Sequence, residues 1–328
     1  MRALLCKEFK GLGSLVLEES SDLLGDPTPG LGEVLIDVKA AGVNFPDLLM
    51  VAGKYQFKPE LPFVPGGECS GVVKAVGEGV KHVKPGDSVI AMDQTGAFAE
   101  QIKVKATAVI PLPPGVSFEV GAGVAITYGT SYYALKQKAR LQEGETLLVL
   151  GAGGGVGMAT VELGKVMGAR VIAAASQEAK LDAACAAGAD LRINYTAEPL
   201  KQRIKELTEG KGADVVYDPV GGDFSEQAFR ATAWNGRFLV IGFAAGEIPK
   251  IPLNLALLKG ADICGVFWGS WTQRDPKGSM ENFTELSRML AGGTLKPRIS
   301  TYKLEDYAEA LTTLAERRAV GKVVLTMD

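Results

Sequence analysis

The sequence predicts an α/β protein with two parts, a barrel-like β domain near the start of the chain and a doubly wound parallel sheet after it. Three observations support this prediction: short strands divided by Gly and Pro turns, a later alternation of apolar strands with helical segments, and a glycine-rich run directly after the first of those apolar strands. A length of 328 residues is enough for about two domains.

The β-rich part comes first. Residues 33–39 alternate apolar with polar or charged side chains, which predicts a half-exposed strand. Similar apolar runs predict strands at 69–76 and 88–91, and the sequence KPGD at 84–87 predicts a turn before the second of them. Several short strands with Gly-rich turns are typical of a compact barrel.

The pattern changes near Gly121. Residues 126–140 have helical spacing, and the uncharged run 146–150 predicts a strand buried at the centre of a parallel sheet. Strands and helices then alternate, with strands predicted at 170–175, 213–217, 236–242 and 261–267 and helices at 177–187, 224–233 and 253–259. The last elements are helices at 279–291 and 305–317 and a closing strand at 322–326.

Composition and charge disfavour several classes of protein. Lys and Arg number 35 against 38 Asp and Glu, which gives a net charge of −3 and no global attraction to nucleic acid. The single His82 and four scattered cysteines do not form a zinc pattern. Residues 3–6 are too short an apolar run for a signal peptide, and no run approaches the roughly 18 residues of a membrane span. We therefore expect a cytoplasmic protein that does not enter a membrane.

The glycine-rich run GAGGGVG occupies residues 151–157, between the strand predicted at 146–150 and a helix predicted at 158–167. Gly151, Gly154 and Gly157 have the spacing that allows a tight turn, a close approach of backbone N–H groups to a pyrophosphate, and close packing of the helix on the strand. The strand and helix around it favour a dinucleotide site over a purely structural turn.

The end of the second strand indicates which dinucleotide binds. NAD enzymes usually place an acidic side chain there, on the ribose 2′-OH, whereas this chain has AAAS at 173–176. Ser176 and Lys180 are available for a 2′-phosphate, so the sequence favours NADPH. Two alternatives stay open: Glu178 faces the ribose, or Glu178 and Lys180 are solvated residues of a first helical turn.

Five motifs together resemble a known family: AGVNFPD at 41–47, PGGECSG at 65–71, PGDSV at 85–89, DPVGG at 218–222, and Gly321-Lys322. The chain resembles the medium-chain dehydrogenase/reductase superfamily, specifically its zinc-free quinone oxidoreductase branch, which includes the zeta-crystallins. The resemblance implies a GroES-like β-barrel catalytic domain from 1–123 and 268–328, with a Rossmann NADP(H)-binding domain inserted at 124–267.

The chain departs from the zinc-dependent members at the zinc ligands. Gly67 stands where they have His, Asn44 stands where they have Cys, and the third ligand position falls near Ile126. The resemblance therefore implies no metal site. Without a Lewis acid, alcohol oxidation is disfavoured and reduction of a conjugated carbonyl is favoured.

By resemblance, Asn44 and Thr130 lie beside the nicotinamide. Tyr55 lines the substrate cleft, where its O–H either donates to a developing oxyanion or points to water above an apolar wall. The resemblance also implies further cofactor contacts, which are made by Gly155, by Val156 beneath the diphosphate, by Tyr195 near the 2′-phosphate, by Val220, Phe243 and Phe267 around the ribose and nicotinamide, and by Lys322 toward a phosphate. Val220 and Phe267 end apolar strands, so packing is an equal alternative for them.

Two segments of the chain are candidates for an interface. The aromatic segment 267–271 either roofs the nicotinamide or acceptor or forms an interface. Dimers of this family pair the last Rossmann strand across a two-fold axis, so the resemblance implies a homodimer through residues 261–267.

The leading hypothesis is an NADPH-dependent reductase whose small-molecule acceptor is a quinone or another conjugated carbonyl compound. One alternative is an NADPH-dependent C=C reductase of enones, alkenals or enoyl thioesters. A second, from another class, is an NADPH-binding structural or RNA-binding protein with little turnover.

Overall fold

The computed structural model describes residues 1–19 and 28–327. The chain divides into two compact units, unit 1 (Met1–Ile126 and Ile299–Asp328) and unit 2 (Thr127–Arg298). The sequence-based division differs for residues 268–298, which it assigns to the barrel domain, and those sequence-based limits stay a prediction.

Unit 1 is a mainly antiparallel β structure. Its strands are β1 (Arg2–Cys6), β2 (Leu15–Glu19), β3 (Glu33–Gly42), β4 (Glu68–Val76), β5 (Ser88–Met92), β6 (Gln101–Lys105), β7 (Val109–Pro111), β14 (Ile299–Lys303) and β15 (Lys322–Thr326). β1 pairs with β2, and the larger sheet has the order β14-β15-β3-β4-β5-β7 with β6 on β3. The helices are α1 (Phe45–Val51), α10 (Tyr307–Ala315) and the first part of α2 (Phe118–Tyr133).

The central strand β3 shows why this sheet forms. Val34 and Ile36 are fully buried in the core of unit 1, whereas Lys39 is exposed. The period-two alternation places apolar side chains on the core face and charged ones toward water. The predicted strand is confirmed and continues to Gly42.

Unit 2 contains a six-stranded parallel sheet with helices between its strands. The strands are β8 (Thr146–Leu150), β9 (Arg170–Ala175), β10 (Leu191–Asn194), β11 (Ala213–Asp218), β12 (Thr232–Val240) and β13 (Asp262–Gly265). The helices are α3 (Gly155–Val166), α4 (Glu178–Ala186), α5 (Leu200–Leu207), α6 (Asp223–Arg230), α7 (Asn254–Lys259), α8 (Trp268–Arg274) and α9 (Pro276–Ala291).

The strand order is β10-β9-β8-β11-β12-β13, with parallel pairing throughout. The chain builds outward from β8 to one edge and then crosses to build outward from β11 to the other. β8 and β11 are therefore the two strands beside which the order reverses, which is where open α/β sheets bind ligands. The predicted combination of a β-rich domain with a doubly wound parallel sheet is confirmed.

Helix α2 begins at Phe118, well before the predicted start at residue 126. Gly121 and Gly123 weaken the helical pattern in the sequence. The structure gives the reason for both: a Cβ on Gly121 would lie 2.5 Å from Cδ1 of Leu112, and one on Gly123 would lie 2.7 Å from Cδ1 of Ile299. Close packing therefore favours glycine at both positions. After Tyr133 the helix loosens into a π-helical turn, Ala134–Ala139.

In unit 2, β10, α5 and α8 were not predicted, and β12 begins at Thr232 and not at the predicted residue 236. β10 has only four residues, of which two are the polar Arg192 and Asn194, so it lacks the apolar run that identifies a central strand. No helix among the described residues is long and apolar enough to cross a membrane, and the cytoplasmic location stays a prediction.

Candidate active site

The glycine-rich turn joins β8 to α3. Gly151 has φ +60°, in the region that favours glycine, and a Cβ on Gly157 would lie 2.2 Å from the carbonyl oxygen of Gly151. Both glycines are therefore required by the turn itself. β8, which leads into the turn, is buried along its whole length, so the turn stands on a rigid strand.

Gly154 has no such constraint. Its φ of −84° and ψ of 172° suit any residue, and the nearest atom that a Cβ would meet is the Gly151 carbonyl oxygen at 3.5 Å. The space beside Gly154 is therefore open, directly before the first turn of α3. The N–H groups of a first helical turn have no acceptor within the helix, and they bind phosphate oxygens well. This turn, residues 151–157, fits a dinucleotide diphosphate, and we call it the phosphate turn.

Lys180, from α4, lies against the same turn. A Cβ on Gly153 would lie 2.5 Å from Cβ of Lys180 and 3.1 Å from its Cδ, so the alkyl part of Lys180 crosses Gly153. Sequence reasoning did not select Gly153, because only the folded chain brings α4 onto the turn. The alternative of a solvated Lys180 is excluded, since the residue is only 8% exposed.

Ser176 and Tyr195 follow the neighbouring strands β9 and β10. Asn194 lies opposite Ala175 in the parallel register, so both strands end at the same edge of the sheet. The hydroxyl of Thr196 lies 3.1 Å from the carbonyl oxygen of Ser176, and the ring of Tyr195 packs 4.3 Å from that of Phe224. The structure therefore brings the predicted 2′-phosphate residues to one edge. Their contact with a phosphate stays a prediction.

A second glycine turn follows β11. The buried carboxylate of Asp218 accepts hydrogen bonds from the backbone N–H groups of Val220 at 2.8 Å and Gly221 at 2.9 Å, and from the hydroxyl of Ser225. Burial raises the pKa of Asp218. Val220 Cγ2 would lie 2.9 Å from a Cβ on Gly151, which places Val220 against the phosphate turn.

Phe243 packs on the same second turn, since its Cδ1 would lie 3.1 Å from a Cβ on Gly221. Two of the predicted cofactor residues, Val220 and Phe243, therefore lie around the glycine turns. Phe267 differs from them, because it is 63% exposed and stands just before α8. Its predicted cofactor contact remains untested.

Thr130 lies on a part of α2 that is tied to the phosphate turn. The hydroxyl of the next residue, Ser131, donates to the carbonyl oxygen of Val156 at 3.1 Å, and Thr160 donates to the same oxygen at 2.7 Å. The hydroxyls of Ser131 and Tyr217 are 3.0 Å apart. This buried network fixes the helix that carries Thr130 relative to the first turn of α3.

The two tryptophans of α8 pack on α2. Trp271 stacks on Tyr133, with ring centroids 4.3 Å apart and ring planes at 16°. Trp268 packs against Gly129, because a Cβ on Gly129 would lie 2.6 Å from Cζ2 of Trp268. Gly129 therefore allows the indole of Trp268 to contact the backbone next to Thr130. Both tryptophans are half-buried within unit 2.

Unit 1 contains a buried polar network around Asn44, which is 7% exposed. Its Nδ2 donates to Oε1 of Glu68 at 2.9 Å, and its Oδ1 accepts from Lys322 at 2.6 Å. The other carboxylate oxygen of Glu68 accepts from the backbone N–H of Ile126 at 2.8 Å. Asn44 is thereby held in one orientation.

Lys322 lies among acceptors of unit 1. Its Nζ donates to the carbonyl oxygen of Val43 at 2.9 Å and to Asn44, and it lies 2.7 Å from Oε1 of Glu68. Lys322 therefore neutralises a fully buried carboxylate. These partners favour a structural role, and its contact with a cofactor phosphate stays a prediction.

Asp47 connects this network to Tyr55. The backbone N–H of Asn44 donates to Oδ2 of Asp47 at 2.7 Å, and burial raises the pKa of Asp47 to about 7. The pKa of Tyr55 is also raised, first by its own burial and then by the charge of Asp47. Tyr55 therefore keeps its proton at neutral pH and is a hydrogen-bond donor.

The three positions at which the zinc-dependent enzymes carry ligands lie near one another. A Cβ on Gly67 would lie 3.5 Å from Cδ1 of Ile126, and both Ile126 and Asn44 bind Glu68. The side chains at these positions are a hydrogen atom in Gly67, a hydrocarbon chain in Ile126 and an amide in Asn44, and they do not make a zinc ligand set. Among residues 1–19 and 28–327, no group of three His, Cys, Asp or Glu side chains is placed to hold a metal ion.

Comparisons with known proteins identify the family. The family model described as "Alcohol dehydrogenase GroES-like domain" matches residues 30–114, and the one described as "Zinc-binding dehydrogenase" matches residues 155–285. The chain is 42% identical to the "Quinone oxidoreductase-like protein 2 homolog" of Nematostella vectensis, over 99% of this chain and 88% of that protein. The chain belongs to the quinone oxidoreductase branch of the medium-chain dehydrogenase/reductase superfamily.

Solved structures of this branch cover the entire chain. Escherichia coli quinone oxidoreductase in complex with NADPH superposes with a TM-score of 0.92 at 29% identity, covering 100% of both chains. A mycobacterial protein in complex with NADPH superposes with a TM-score of 0.92 at 31% identity, again covering 100% of both. The chain is thus an oxidoreductase of this superfamily, and the predicted cofactor is the ligand of both neighbours. Sequence reasoning placed the chain in the right family.

Proposed function

We propose that the chain transfers a hydride from NADPH to a quinone without a metal ion. The observation that carries the cofactor assignment is the edge of the unit 2 sheet, where Ser176, Lys180 and Tyr195 lie beside an open glycine turn. The quinone assignment is supported by two of the relatives. One is named a quinone oxidoreductase, and the other is named a quinone oxidoreductase-like protein.

The residues of unit 2 bind and orient the cofactor in this proposal. NADPH, when bound, supplies the hydride. The backbone N–H groups of the phosphate turn, 151–157, bind the diphosphate, and Ser176, Lys180 and Tyr195 bind the 2′-phosphate. Thr130, on a helix fixed to that turn, orients the nicotinamide.

The residues of unit 1 act on the acceptor in this proposal. Both Nδ2 donors of Asn44 are used, by Glu68 and by the carbonyl oxygen of Gly42. Its Oδ1, held in place by Lys322, is therefore the atom that accepts a hydrogen bond from a ligand in this proposal. Tyr55, which keeps its proton, donates a hydrogen bond to the quinone oxygen on which negative charge develops.

The test compares acceptors by the loss of NADPH absorbance. The protein is assayed with 1,4-benzoquinone and with an enone at equal concentrations, alongside Tyr55→Phe. A control, Tyr302→Phe, changes a tyrosine of β14 whose hydroxyl lies 3.5 Å from Thr313. We expect faster turnover with the quinone, and a roughly three- to tenfold lower kcat/KM in Tyr55→Phe only.

Two outcomes would contradict the proposal. Faster turnover with the enone would make the protein a C=C reductase. Binding of NADPH without consumption across both acceptors would favour the alternative of a binding protein with little turnover.

We also propose that the protein forms a homodimer through β13. This strand ends the unit 2 sheet as the structure describes it, with β12 as its neighbour. Ile263 is 41% exposed, and Leu257 of α7 is 80% exposed. An exposed apolar sheet edge is normally covered. Light scattering should give twice the chain mass of 34.5 kDa; a single chain mass would overturn this proposal.

A further inference from the structure

One carboxylate lies close in sequence to the proposed 2′-phosphate residues. Glu178 is the first residue of α4, two positions after Ser176 and two before Lys180. A carboxylate in this region is what NAD enzymes use to bind the ribose 2′-OH, and an ionised one repels a 2′-phosphate. Where its side chain is held therefore matters for the choice of cofactor.

In the structure Glu178 is bound to Asn194, at the end of the neighbouring strand β10. Nδ2 of Asn194 donates to Oε1 of Glu178 at 2.6 Å. Arg192, also on β10, lies 3.7 Å from the other carboxylate oxygen and forms a second ion pair with Asp182 at 2.6 Å. Glu178 is exposed, as the alternative of a solvated residue predicts, but its carboxylate is held on β10 by these partners.

The orientation of the Asn194 amide is determined by Thr196. The backbone N–H of Thr196 donates to Oδ1 of Asn194 at 3.2 Å, and the Thr196 hydroxyl lies 2.7 Å from the same oxygen. A backbone N–H can only donate, so the amide oxygen must face Thr196 and Nδ2 must face Glu178. The same hydroxyl lies 3.1 Å from the carbonyl oxygen of Ser176, which ties this arrangement to the end of β9.

We propose that Asn194 is a positioning residue that holds the Glu178 carboxylate on β10, away from the 2′-phosphate, and so gives the site its preference for NADPH. This inference rests on the proposed function. When the hydrogen bond is lost, Glu178 is free to turn toward Ser176. There it weakens binding of a 2′-phosphate and supports binding of a 2′-OH.

The test measures binding of 2′,5′-ADP and 5′-AMP by titration calorimetry, without turnover. Asn194→Asp keeps the oxygen that faces Thr196 and replaces the donor that faces Glu178. We expect the affinity for 2′,5′-ADP relative to that for 5′-AMP to fall about tenfold, and to fall by less at high salt. The double variant Asn194→Asp/Glu178→Gln should return to within twofold of Glu178→Gln. Glu206→Gln, which removes a carboxylate of α5 that pairs with Arg203, is the matched control and should leave the ratio unchanged.

The outcomes separate this inference from the proposal on which it rests. An unchanged ratio in Asn194→Asp, or a loss that Glu178→Gln does not rescue, overturns the positioning role and leaves the cofactor assignment intact. A wild-type protein that binds both nucleotides equally overturns the NADPH assignment and the inference with it. Asn194→Ala, with its own rescue by Glu178→Gln, provides the same test if Asn194→Asp does not fold.

Discussion

Two lysines, one in each unit, show how different surroundings give one residue type different roles. Lys322 in unit 1 is surrounded by acceptors of its own unit and neutralises the buried Glu68. Lys180 in unit 2 extends across the glycine turn at the edge where the parallel strands end. The sequence suggested a phosphate role for both. The surroundings of each lysine come from the fold, so the local sequence does not distinguish the two roles.

The largest expected effect is on the stability of unit 1. Lys322→Met leaves the buried Glu68 carboxylate without its counterion, so the free energy of unfolding should fall by about 3 to 5 kcal/mol. Lys74→Met is the control, because its ion pair with Asp37 at 3.3 Å is exposed and should contribute about 1 kcal/mol or less. Urea denaturation measures both. A Lys322→Met protein of normal stability that has lost NADPH affinity would restore the phosphate role.

The next effect concerns pH. Asp47 has a pKa of about 7 when folded, above its ordinary value of 3.8, so the folded state holds a proton that the unfolded state releases. As pH rises from about 4 to 7, the ionisation of Asp47 therefore lowers the free energy of unfolding, by about 4 kcal/mol at most. Asp47→Asn lacks this proton, and relative to the wild type it should gain stability across that range. Asp37→Asn, which removes an exposed carboxylate, should follow the wild type. Parallel wild-type and Asp47→Asn curves would contradict the assignment.

A smaller effect separates two glycines of the phosphate turn. Gly154→Ala places a methyl group in the open space beside α3, so NADPH affinity should fall about tenfold while the melting temperature stays the same. Gly157→Ala should lower the melting temperature as well, because its Cβ would meet the Gly151 carbonyl oxygen. Calorimetry and thermal unfolding distinguish them. Unchanged affinity in Gly154→Ala would remove this turn from the diphosphate site.

The sequence predicts strands well where their burial is uniform. The limits of β8, β9 and β15 agree with the structure, because each is a mostly apolar run bounded by turn or polar residues. The sequence predicts an element less well where contacts with distant parts of the chain determine that element. β10 carries Arg192 and Asn194 on a short outer strand, and α2 contains glycines that its close packing favours.

The candidate site shows the same division. The phosphate turn was predictable because its glycine spacing is local, between a strand and a helix. The role of Lys322 was not, because its partners Asn44 and Glu68 come from distant parts of the chain. Gly153 and Asn194 were missed for the same reason. Each is explained by a neighbour from another element, Lys180 and Glu178 respectively.

The most direct test of the central claim, that unit 2 holds the 2′-phosphate through Lys180, compares kcat/KM for NADPH and NADH with 1,4-benzoquinone in the wild type and in Lys180→Met. We expect the wild type to prefer NADPH by about a hundredfold and Lys180→Met to lose at least tenfold of that preference, with NADH turnover unchanged. Equal use of both cofactors by the wild type, or an undiminished preference in Lys180→Met, would contradict the account.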